Sequence, residues 1–493
     1  MLRVWVFLLV ATLVDAADVY VATNGNDSAA GSFAAPYRNI QRAATNMLAG
    51  DTCYIRVGTY RETVTPGASN LTFRAYSNEL VTVSGADVVT NWTVHSGMIY
   101  KAPIAWSLGE SNQVFVDGQM MNLARWPNSS LDISRPNRAI ATDGGSDTNI
   151  IAGWMNGFLS DPALTNAAGF WTGALLLMSP GEEWQGASGW VTSNTVGTIY
   201  YRWRVPNSSD PAFLPNATTR YALSGKLELL DTYGEWFCDT NLYLWTPTGD
   251  SPANHLVEAK RRGTAFDLSG KTGIQILDLR LFAATIKMNS TSRNNTLDHL
   301  DARYVFHSAT LATNWQDFAS TSGLQLNGTS NTLANSTIAY SAASGVSVLG
   351  TNSLITNCVI HDINYLGGDG AGIYCGADFA ITVYGHEFAS NTIYNSGMGA
   401  FLIRRLKAGK LHHNDGYTLN LQCSDVGGGI YGYNDDGGGT EIHHNCFHDI
   451  TDRLNPGVGI YLDNFCRNFV VHHNLAWNCG EAMTDRKSTR LNS

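Results

Sequence analysis

Three Gly-Ile-Tyr triplets in the last third of the chain are each followed by acidic side chains. The triplets end at Tyr374, Tyr431 and Tyr461. Asp463 lies two residues after the last triplet, and Asp435 and Asp436 lie four and five residues after the middle one. Hydrolysis of a glycosidic bond uses two carboxyl groups flanking that bond, about 5–5.5 Å apart for retention and about 6.5–9.5 Å for inversion. We predict that Asp463 forms such a pair with Asp435 or Asp436.

The polar and aromatic residues around these acids are the predicted substrate contacts: Tyr374, Asp378, Arg404, Arg405, Tyr431, Tyr433 and Tyr461. Two further acids, Asp369 and Asp425, precede the first two triplets. A structural alternative stays open for the central acids. The segment from Asn434 to Gly439 consists of Asn, Asp and Gly, which are the usual residues of tight turns.

A repeat ending in asparagine predicts the element that positions these residues. Its copies end at Asn335, Asn357, Asn391, Asn414, Asn445 and Asn474, at intervals of 22, 34, 23, 31 and 29 residues. One coil of a parallel β-helix has roughly this length. Asparagine side chains stacked at a turn would hydrogen-bond from coil to coil and satisfy buried backbone groups. The sequence therefore predicts an all-β solenoid.

The strand that carries the tyrosines recurs in the same register over five coils. Alternation along a strand predicts an inward row and an outward row. The inward row is Val346, Ile373, Ala400, Ile430 and Ile460, and the outward row is Ser347, Tyr374, Phe401, Tyr431 and Tyr461. Side chains on adjacent coils lie about 4.8 Å apart. This spacing is what brings acids of neighbouring coils within reach of one substrate.

The N-terminal half predicts a cap and an insertion. Apolar residues recur at helical spacing from Ile40 to Leu48, and a short helix there would cover the open first coil. The region from Trp106 to Lys260 holds nine of the 13 tryptophans, and alternating stretches such as Leu242–Trp245 indicate antiparallel strands. The predicted division is a signal peptide in residues 1–16, the cap and first coils in 17–105, a tryptophan-rich β insertion in 106–262, and β-helix coils in 263–484. Residues 485–493 resemble a translated sequencing adapter.

Composition narrows the class of protein. The chain has 493 residues, a formal net charge of −10 and only 15 % charged residues, which argues against a nucleic-acid partner and against disorder. The apolar run Val4–Val14 after Arg3 is too short to span a membrane and is typical of a signal peptide. Ten Asn-x-Ser/Thr sequons and eight cysteines fit a secreted glycoprotein in an oxidising compartment. We expect a monomer.

Three segments carry a resemblance to known proteins: Gly427–Asn445, Gly459–Asn464 and Gln113–Asn128. Their sequences, which include GGGIYGYNDDGGGTEIHHN and GIYLDN, resemble the right-handed parallel β-helix superfamily of pectate lyases, polygalacturonases and several glycosidases. Within it they are most similar to bacterial-type β-helix repeat proteins that act on carbohydrates. The resemblance implies a right-handed solenoid and a polysaccharide substrate. The catalytic motifs of polygalacturonases, pectate lyases and mannuronan epimerases are absent, so none of those residue sets is transferred.

Two other functions stay open beside the hydrolase. Lyases of this fold neutralise a uronate with Ca²⁺ or with Arg and Lys side chains and then abstract the C5 proton. Arg404, Arg405 and Lys407, beside Asp378 and Asp435, would supply those parts, with Ca²⁺ as the only cofactor expected. A non-catalytic glycan-binding protein would use the aromatic insertion equally well.

Three histidine pairs precede the late asparagines: His412-His413, His443-His444 and His472-His473. A column of imidazoles is able to bind zinc or copper. We expect one member of each pair to face inward beside the asparagine turn, so stacking and hydrogen bonding are the preferred interpretation. No metal site is predicted there.

Overall fold

The structure is a computed structural model that describes residues 16–147, 150–151, 153–204, 210–311, 321–377, 381–424, 427–450, 454 and 457–485. Most of the predicted signal peptide, the predicted substrate contact Asp378 and nearly all of residues 485–493 lie outside the described residues. Among the described residues, no helix is both long enough and apolar enough to cross a lipid bilayer.

The chain begins with a helix-capped start of the solenoid. Its elements are β1 (Asp18–Val21), α1 (Ile40–Asn46), β2 (Thr52–Ile55), β3 (Gly58–Tyr60), β4 (Thr72–Ala75) and β5 (Val81–Ser84). The predicted capping helix is therefore confirmed. Ile40, Ala43 and Ala44 are its buried residues and belong to the solenoid core.

Mainly antiparallel sheets follow, in which hairpins of consecutive strands combine with pairs of strands that are distant in the chain. Their strands are β6 (Ala86–Val88), β7 (Thr93–Ser96), β8 (Ile99–Pro103), β9 (Val114–Val116), β10 (Gln119–Met120), β11 (Asn122–Leu123), β12 (Arg125–Trp126), β13 (Ala139–Ile140), β14 (Asp143–Ser146), β15 (Met155–Ser160), β16 (Leu175–Ser179), β17 (Ala187–Thr195), β18 (Thr198–Trp203), β19 (Arg220–Ser224), β20 (Glu235–Cys238), β21 (Asn241–Trp245) and β22 (Val257–Lys260). Short 3₁₀ helices lie at Gly109–Ser111, Pro211–Phe213, Leu227–Leu229 and Pro252–Asn254. Trp171, Trp203 and Trp236 are buried in this part, so their role is packing.

The solenoid then resumes and continues through the rest of the described chain. Its strands are β23 (Thr264–Asp267), β24 (Gln275–Leu277), β25 (Arg280–Phe282), β26 (Thr285–Lys287), β27 (Thr296–Asp298), β28 (Asp301–Phe306), β29 (Leu324–Gln325), β30 (Gly328–Thr329), β31 (Thr332–Ala334), β32 (Thr337–Ser341), β33 (Val346–Val348), β34 (Gly350–Thr351), β35 (Leu354–Thr356), β36 (Val359–Ile363), β37 (Ala371–Cys375), β38 (Val383–Tyr384), β39 (Glu387–Ala389), β40 (Thr392–Ser396), β41 (Gly399–Ile403), β42 (Leu406–Lys407), β43 (Lys410–His412), β44 (Asp415–Tyr417), β45 (Gly428–Gly432), β46 (Asp436–His443), β47 (Cys446–His448), β48 (Val458–Leu462), β49 (Arg467–His472), β50 (Leu475–Trp477) and β51 (Glu481–Asp485).

Three long parallel sheets form the faces of the solenoid. The first has 11 strands in the order β1-β2-β4-β24-β27-β31-β35-β39-β43-β46-β49. The second has ten, in the order β3-β5-β25-β28-β32-β36-β40-β44-β47-β50, and the third has seven, in the order β29-β33-β37-β41-β45-β48-β51. Because β4 pairs directly with β24 and β5 with β25, the antiparallel region is inserted between two coils without interrupting the ladder.

One continuous apolar core fills the solenoid from Val21 to Met483. In the third sheet the inward row is Val346, Ile373, Phe401, Ile430 and Ile460. Each of these side chains is at most 3 % exposed. Full burial of such a side chain contributes about 1.5–3 kcal/mol, so this row alone is a large part of what holds the coils together.

The prediction for one coil of this sheet was wrong. Phe401 pairs with Ile373 and faces inward, and Leu402 occupies the outward position beside Tyr374 and Tyr431. Gly399 pairs with Ala371 and not with Gly372, so this strand is offset by one residue from an alignment that matches the glycines. Ala400 is buried in the solenoid core as predicted, so the error for this coil is the outward direction of Phe401.

The asparagine ladder is confirmed for four coils and wrong for two. Asn391, Asn414, Asn445 and Asn474 stack, with each Nδ2 donating to the next Oδ1 at 2.9–3.0 Å. Asn335 and Asn357 belong instead to an exposed row one position earlier, where Asn357 donates to Asn335 at 2.7 Å. Ser336 and Cys358 occupy the buried row in those coils.

Candidate active site

The outward side of β37, β41, β45 and β48 is not an open surface. We call it the tyrosine face, because Tyr374, Tyr431 and Tyr461 project from it. All three are at most 5 % exposed and pack with Leu402 in a second apolar cluster outside the solenoid core. Tyr433, another predicted contact, is half-buried against the same cluster. The predicted outward direction of the three tyrosines is confirmed, but they are enclosed by protein.

A buried arginine lies at the centre of the tyrosine face. Arg404 follows β41 and is 2 % exposed. Its Nη2 atom lies 3.7 Å from Oδ1 of Asp369, and its guanidinium lies 5.4 Å from the centroid of the Tyr431 ring. A cation over an aromatic ring in a site shielded from water is attracted more strongly than at the surface.

Asp369 is a site residue that sequence reasoning noted but did not place in the site. It lies two residues before β37 and is 1 % exposed. Burial raises the pKa of this carboxyl to about 6, against the lowering effects of the Arg404 charge and of a hydrogen bond from Tyr374. The one available signal was its position before a Gly-Ile-Tyr triplet, a position that Asp425 shares.

Asp463 is the second carboxyl group of the tyrosine face. It follows β48 directly and is 6 % exposed. Its Oδ2 accepts a hydrogen bond of 3.1 Å from the phenol of Tyr431, and its Oδ1 accepts one of 2.7 Å from the backbone N–H of Asn464. Burial raises the pKa of Tyr431 well above its usual value; Arg404 opposes this, and both Asp463 and Asp369 add to it. The two carboxyl groups therefore act on the same phenol.

Asp435 is enclosed at the turn between β45 and β46, within reach of the Arg404 charge. It is 1 % exposed and lies near the buried thiols of Cys375 and Cys466. Burial raises the pKa of Asp435 to about 6, while backbone N–H groups of Leu406 and Arg405 and the Arg404 charge act in the opposite direction. Asp435 is therefore a further buried carboxyl group beside Arg404, and both of its oxygens are shielded from solvent.

Asp436 points to the first sheet, in which it is the first residue of β46. It accepts a hydrogen bond of 2.8 Å from Asn468 Nδ2, and it lies 3.8 Å from Lys407 Nζ and 3.5 Å from Arg467 Nη2. The Asn468 hydrogen bond is the main cause of its lowered pKa. Asp463 contacts the third sheet, so the structure does not bring Asp436 into contact with the tyrosine face.

Arg405 and the histidine pairs complete the predicted polar groups. Arg405 is half-buried, with its Nε 3.5 Å from Thr382 Oγ1. In each histidine pair the two Nδ1 atoms are 2.8–3.0 Å apart, and both columns of rings stack at 5.0–5.1 Å. No member of any pair is buried, so the prediction that one faces inward was wrong. Asn414 and Asn445, which follow the first two pairs, are buried instead.

The insertion holds the segment that covers the tyrosine face. Arg220 and Glu183 form a buried ion pair of 2.8 Å, and Arg220 Nη2 donates to the carbonyl of Gln422 at 3.0 Å. The N–H of Ser424 donates to the carbonyl of Glu183 at 2.9 Å. Between these two anchored residues lies Cys423, which is part of the apolar cluster on the tyrosine face. The insertion therefore helps to enclose the carboxyl groups. All eight cysteines are described, and each is a free thiol.

Comparisons with known proteins support the fold. A family model described as a right-handed beta helix region matches residues 322–490. The chain is 39 % identical over 92 residues to pectate lyase PEL9 of Emericella nidulans, covering 17 % of this chain and 22 % of that protein. It is 40 % identical over 75 residues to the uncharacterized protein YwoF of Bacillus subtilis, covering 14 % and 16 %. The chain thus spans about a fifth of the length of the curated relatives it matches.

Two solved structures share most of the architecture. One is described as a glycoside hydrolase, with a TM-score of 0.66 and 14 % identity, covering 95 % of this chain and 96 % of that one. The other is XylC in complex with xylose, with a TM-score of 0.55 and 14 % identity, covering 92 % and 68 %. Identity this low shows the fold alone. The right-handed parallel β-helix with an inserted antiparallel region, and its likeness to proteins that act on carbohydrates, are confirmed.

Proposed function

We propose that this protein cleaves glycosidic bonds of a polysaccharide by hydrolysis. The observation that carries the proposal is the pair of buried carboxyl groups on the tyrosine face: Asp463 accepts a hydrogen bond from the Tyr431 phenol, and Asp369 lies beside Arg404. Glycoside hydrolysis uses one carboxyl group that stays protonated near neutral pH and one carboxylate. Asp369, with a pKa raised to about 6, suits the acid. Asp463 then acts as the carboxylate.

The proposal replaces the predicted partner of Asp463. Asp436 forms surface ion pairs with Lys407 and Arg467, and Asp435 lies buried at a turn, whereas Asp463 contacts Tyr431 directly. Asp463 keeps its proposed role as a catalytic carboxyl group, because it lies at the edge of the tyrosine face. The next two residues lead to solvent, since Asn464 is half-buried and Phe465 is 60 % exposed. Substrate would approach from this edge, past Tyr433.

The test is the release of reducing ends from a panel of polysaccharides that includes xylan and polygalacturonate. Asp369→Asn and Asp463→Asn keep the size of each side chain and remove its acid chemistry. Each should lower turnover by about 10²–10⁴-fold, the usual contribution of a positioned acid or base. Asp436→Asn is the matched control and should keep wild-type turnover. Unchanged activity in either of the first two variants, with the control active, would exclude that residue from catalysis.

A lyase is the second candidate, and the match to a pectate lyase is the observation that favours it. Cleavage by β-elimination produces an unsaturated uronate that absorbs in the ultraviolet, and hydrolysis does not. A Ca²⁺-dependent lyase would also lose activity with a chelator and regain it when Ca²⁺ is added. Binding to a polysaccharide without either product would instead support a non-catalytic glycan-binding protein.

Secretion is part of the same proposal. It is supported by the apolar run Val4–Val14 and by the ten sequons. Expression of the whole chain in a eukaryotic cell should deliver a glycosylated protein to the medium, with an N-terminus near Ala17. Retention of the unprocessed chain inside the cell would contradict this part of the proposal.

A further inference from the structure

A cluster of three side chains on the second sheet has the chemistry of a metal site. Asp415 is in β44, and Cys446 and His448 are in β47, the next strand of the sheet. The register places Asp415 opposite Cys446. Gly416 and Phe447 are the buried residues of these strands, so alternation directs Asp415, Cys446 and His448 to the outer side. None of these three residues belongs to the tyrosine face.

The ligand atoms of this cluster converge. One carboxylate oxygen of Asp415, Sγ of Cys446 and a ring nitrogen of His448 all lie within 4.8 Å of one another, and His448 Nε2 is 3.3 Å from Asp415 Oδ1. A tetrahedral ion with bonds of about 2.0–2.3 Å holds its ligand atoms roughly 3.5 Å apart. Asp415 Oδ1 is shielded from solvent, and within the cluster its carboxyl group interacts with the Cys446 thiol and with His448 Nε2. A cation placed between the three groups would bond to this oxygen directly.

The imidazole of His448 is oriented from its other side. Its Nδ1 lies 2.8 Å from Oδ2 of Asp449, and Oδ1 of Asp449 accepts a hydrogen bond from Asn478 Nδ2. A carboxylate on one ring nitrogen fixes the proton there and leaves the lone pair on the other nitrogen, which is the arrangement that supports histidine ligands of metals. Here the free nitrogen is Nε2, the atom that faces Asp415.

Aromatic stacking fixes the plane of the same ring. The His448 ring lies between Tyr417, with centroids 5.1 Å apart, and Trp477, with centroids 4.3 Å apart. The interplanar angles are 14° and 4°. A ligand held in one orientation loses little conformational freedom when a metal binds, which favours affinity.

We propose that Asp415, Cys446 and His448 bind a divalent transition-metal ion, with zinc as the preferred ion. The set of one oxygen, one sulfur and one nitrogen suits zinc, whereas Ca²⁺ and Mg²⁺ take oxygen ligands. The Cys446 thiol gives its proton to solvent when the thiolate binds. Three protein ligands leave a fourth position for water. The His448 side chain is 18 % exposed and the Asp415 side chain is 42 % exposed, so an ion reaches the site from solvent.

The test is titration of the whole metal-free protein with Co²⁺, which reports a thiolate ligand through a charge-transfer absorption band. One equivalent should produce the band, and Zn²⁺ should remove it by displacement. The band separates this site from the histidine columns, which hold no sulfur. Cys446→Ser should abolish it, whereas Cys479→Ser, at another half-buried cysteine, should leave it unchanged.

Asp449→Asn tests the positioning of the imidazole, because Asp449 touches His448 and is not a ligand. It should weaken Zn²⁺ binding by about 10–100-fold, the usual effect of removing such a partner, and Asp449→Glu should recover part of the affinity. Absence of the band in folded wild-type protein would overturn the proposal. So would a band that persists in Cys446→Ser, since the thiolate would then come from another cysteine.

Discussion

Replacing Asp435 by Asn tests whether this carboxyl group is enclosed in the folded protein. Its pKa is raised from 3.8 to about 6, chiefly by burial, and the residue is 1 % exposed. Because the folded-state pKa is above the unfolded-state pKa, the folded state binds the proton more tightly. The contribution of Asp435 to stability is therefore fully present below pH 3.8 and is lost as the pH rises through about 6.

The magnitude follows from the size of the shift. A pKa that rises from 3.8 to about 6 corresponds, at 1.36 kcal/mol for each pKa unit, to about 3 kcal/mol. Asn carries no charge at any pH, so the stability difference between Asp435→Asn and wild type should be about 3 kcal/mol more favourable to the variant at pH 8 than at pH 4. Comparing the two pH values removes any effect of the substitution that does not depend on pH, such as an altered hydrogen bond to Arg405 or Leu406.

The assay is urea denaturation of both proteins at pH 4 and pH 8, followed by circular dichroism. Asp436→Asn is the control. Asn468 lowers the pKa of the Asp436 carboxyl group, so the change in the stability difference between pH 4 and pH 8 should have the opposite sign. If the gain in stability of Asp435→Asn over wild type from pH 4 to pH 8 is near zero or negative, the carboxyl group is not enclosed. Turnover should survive the substitution; its loss by 10²-fold or more would restore Asp435 to the catalytic pair.

Three other measurements follow from the same contacts. Polysaccharide hydrolysis should decline as the pH rises through about 6, because Asp369 then loses the proton that it gives to the leaving group, and a pH–rate profile without a fall near that value would count against Asp369 as the acid. Tyr431→Phe keeps the ring and removes the hydrogen bond to Asp463, so turnover should drop, while the free energy of unfolding measured in urea should change by no more than about 1 kcal/mol. Asn414→Ala breaks the ladder on both sides, between Asn391 and Asn445, and should cost about 2–4 kcal/mol in urea denaturation; a cost below 1 kcal/mol would show that water replaces the amide.

The sequence by itself determined the solenoid, its helical cap and the class of its insertion. Coil length, inward apolar residues and the late asparagines repeat along the chain, and each coil is specified mainly by its own strands and its nearest neighbours. Local patterns of that kind are visible in a linear sequence. Aligning coils by identical residues fails where the coils differ in length, because identical residues then need not share one register. Phe401 and Asn335 were each misplaced by one position for this reason.

Only the tertiary structure decided which carboxyl groups share an environment. Asp435 and Asp436 are adjacent in the chain, yet one is enclosed at a turn and the other pairs with Lys407 and Arg467 on a different sheet. Asp369 and Asp463 are far apart in the chain, yet both charges raise the pKa of Tyr431, under a segment that the insertion anchors through Arg220. The pKa of a carboxyl group depends on burial and on charges from every neighbouring segment, and no single stretch of sequence contains that information.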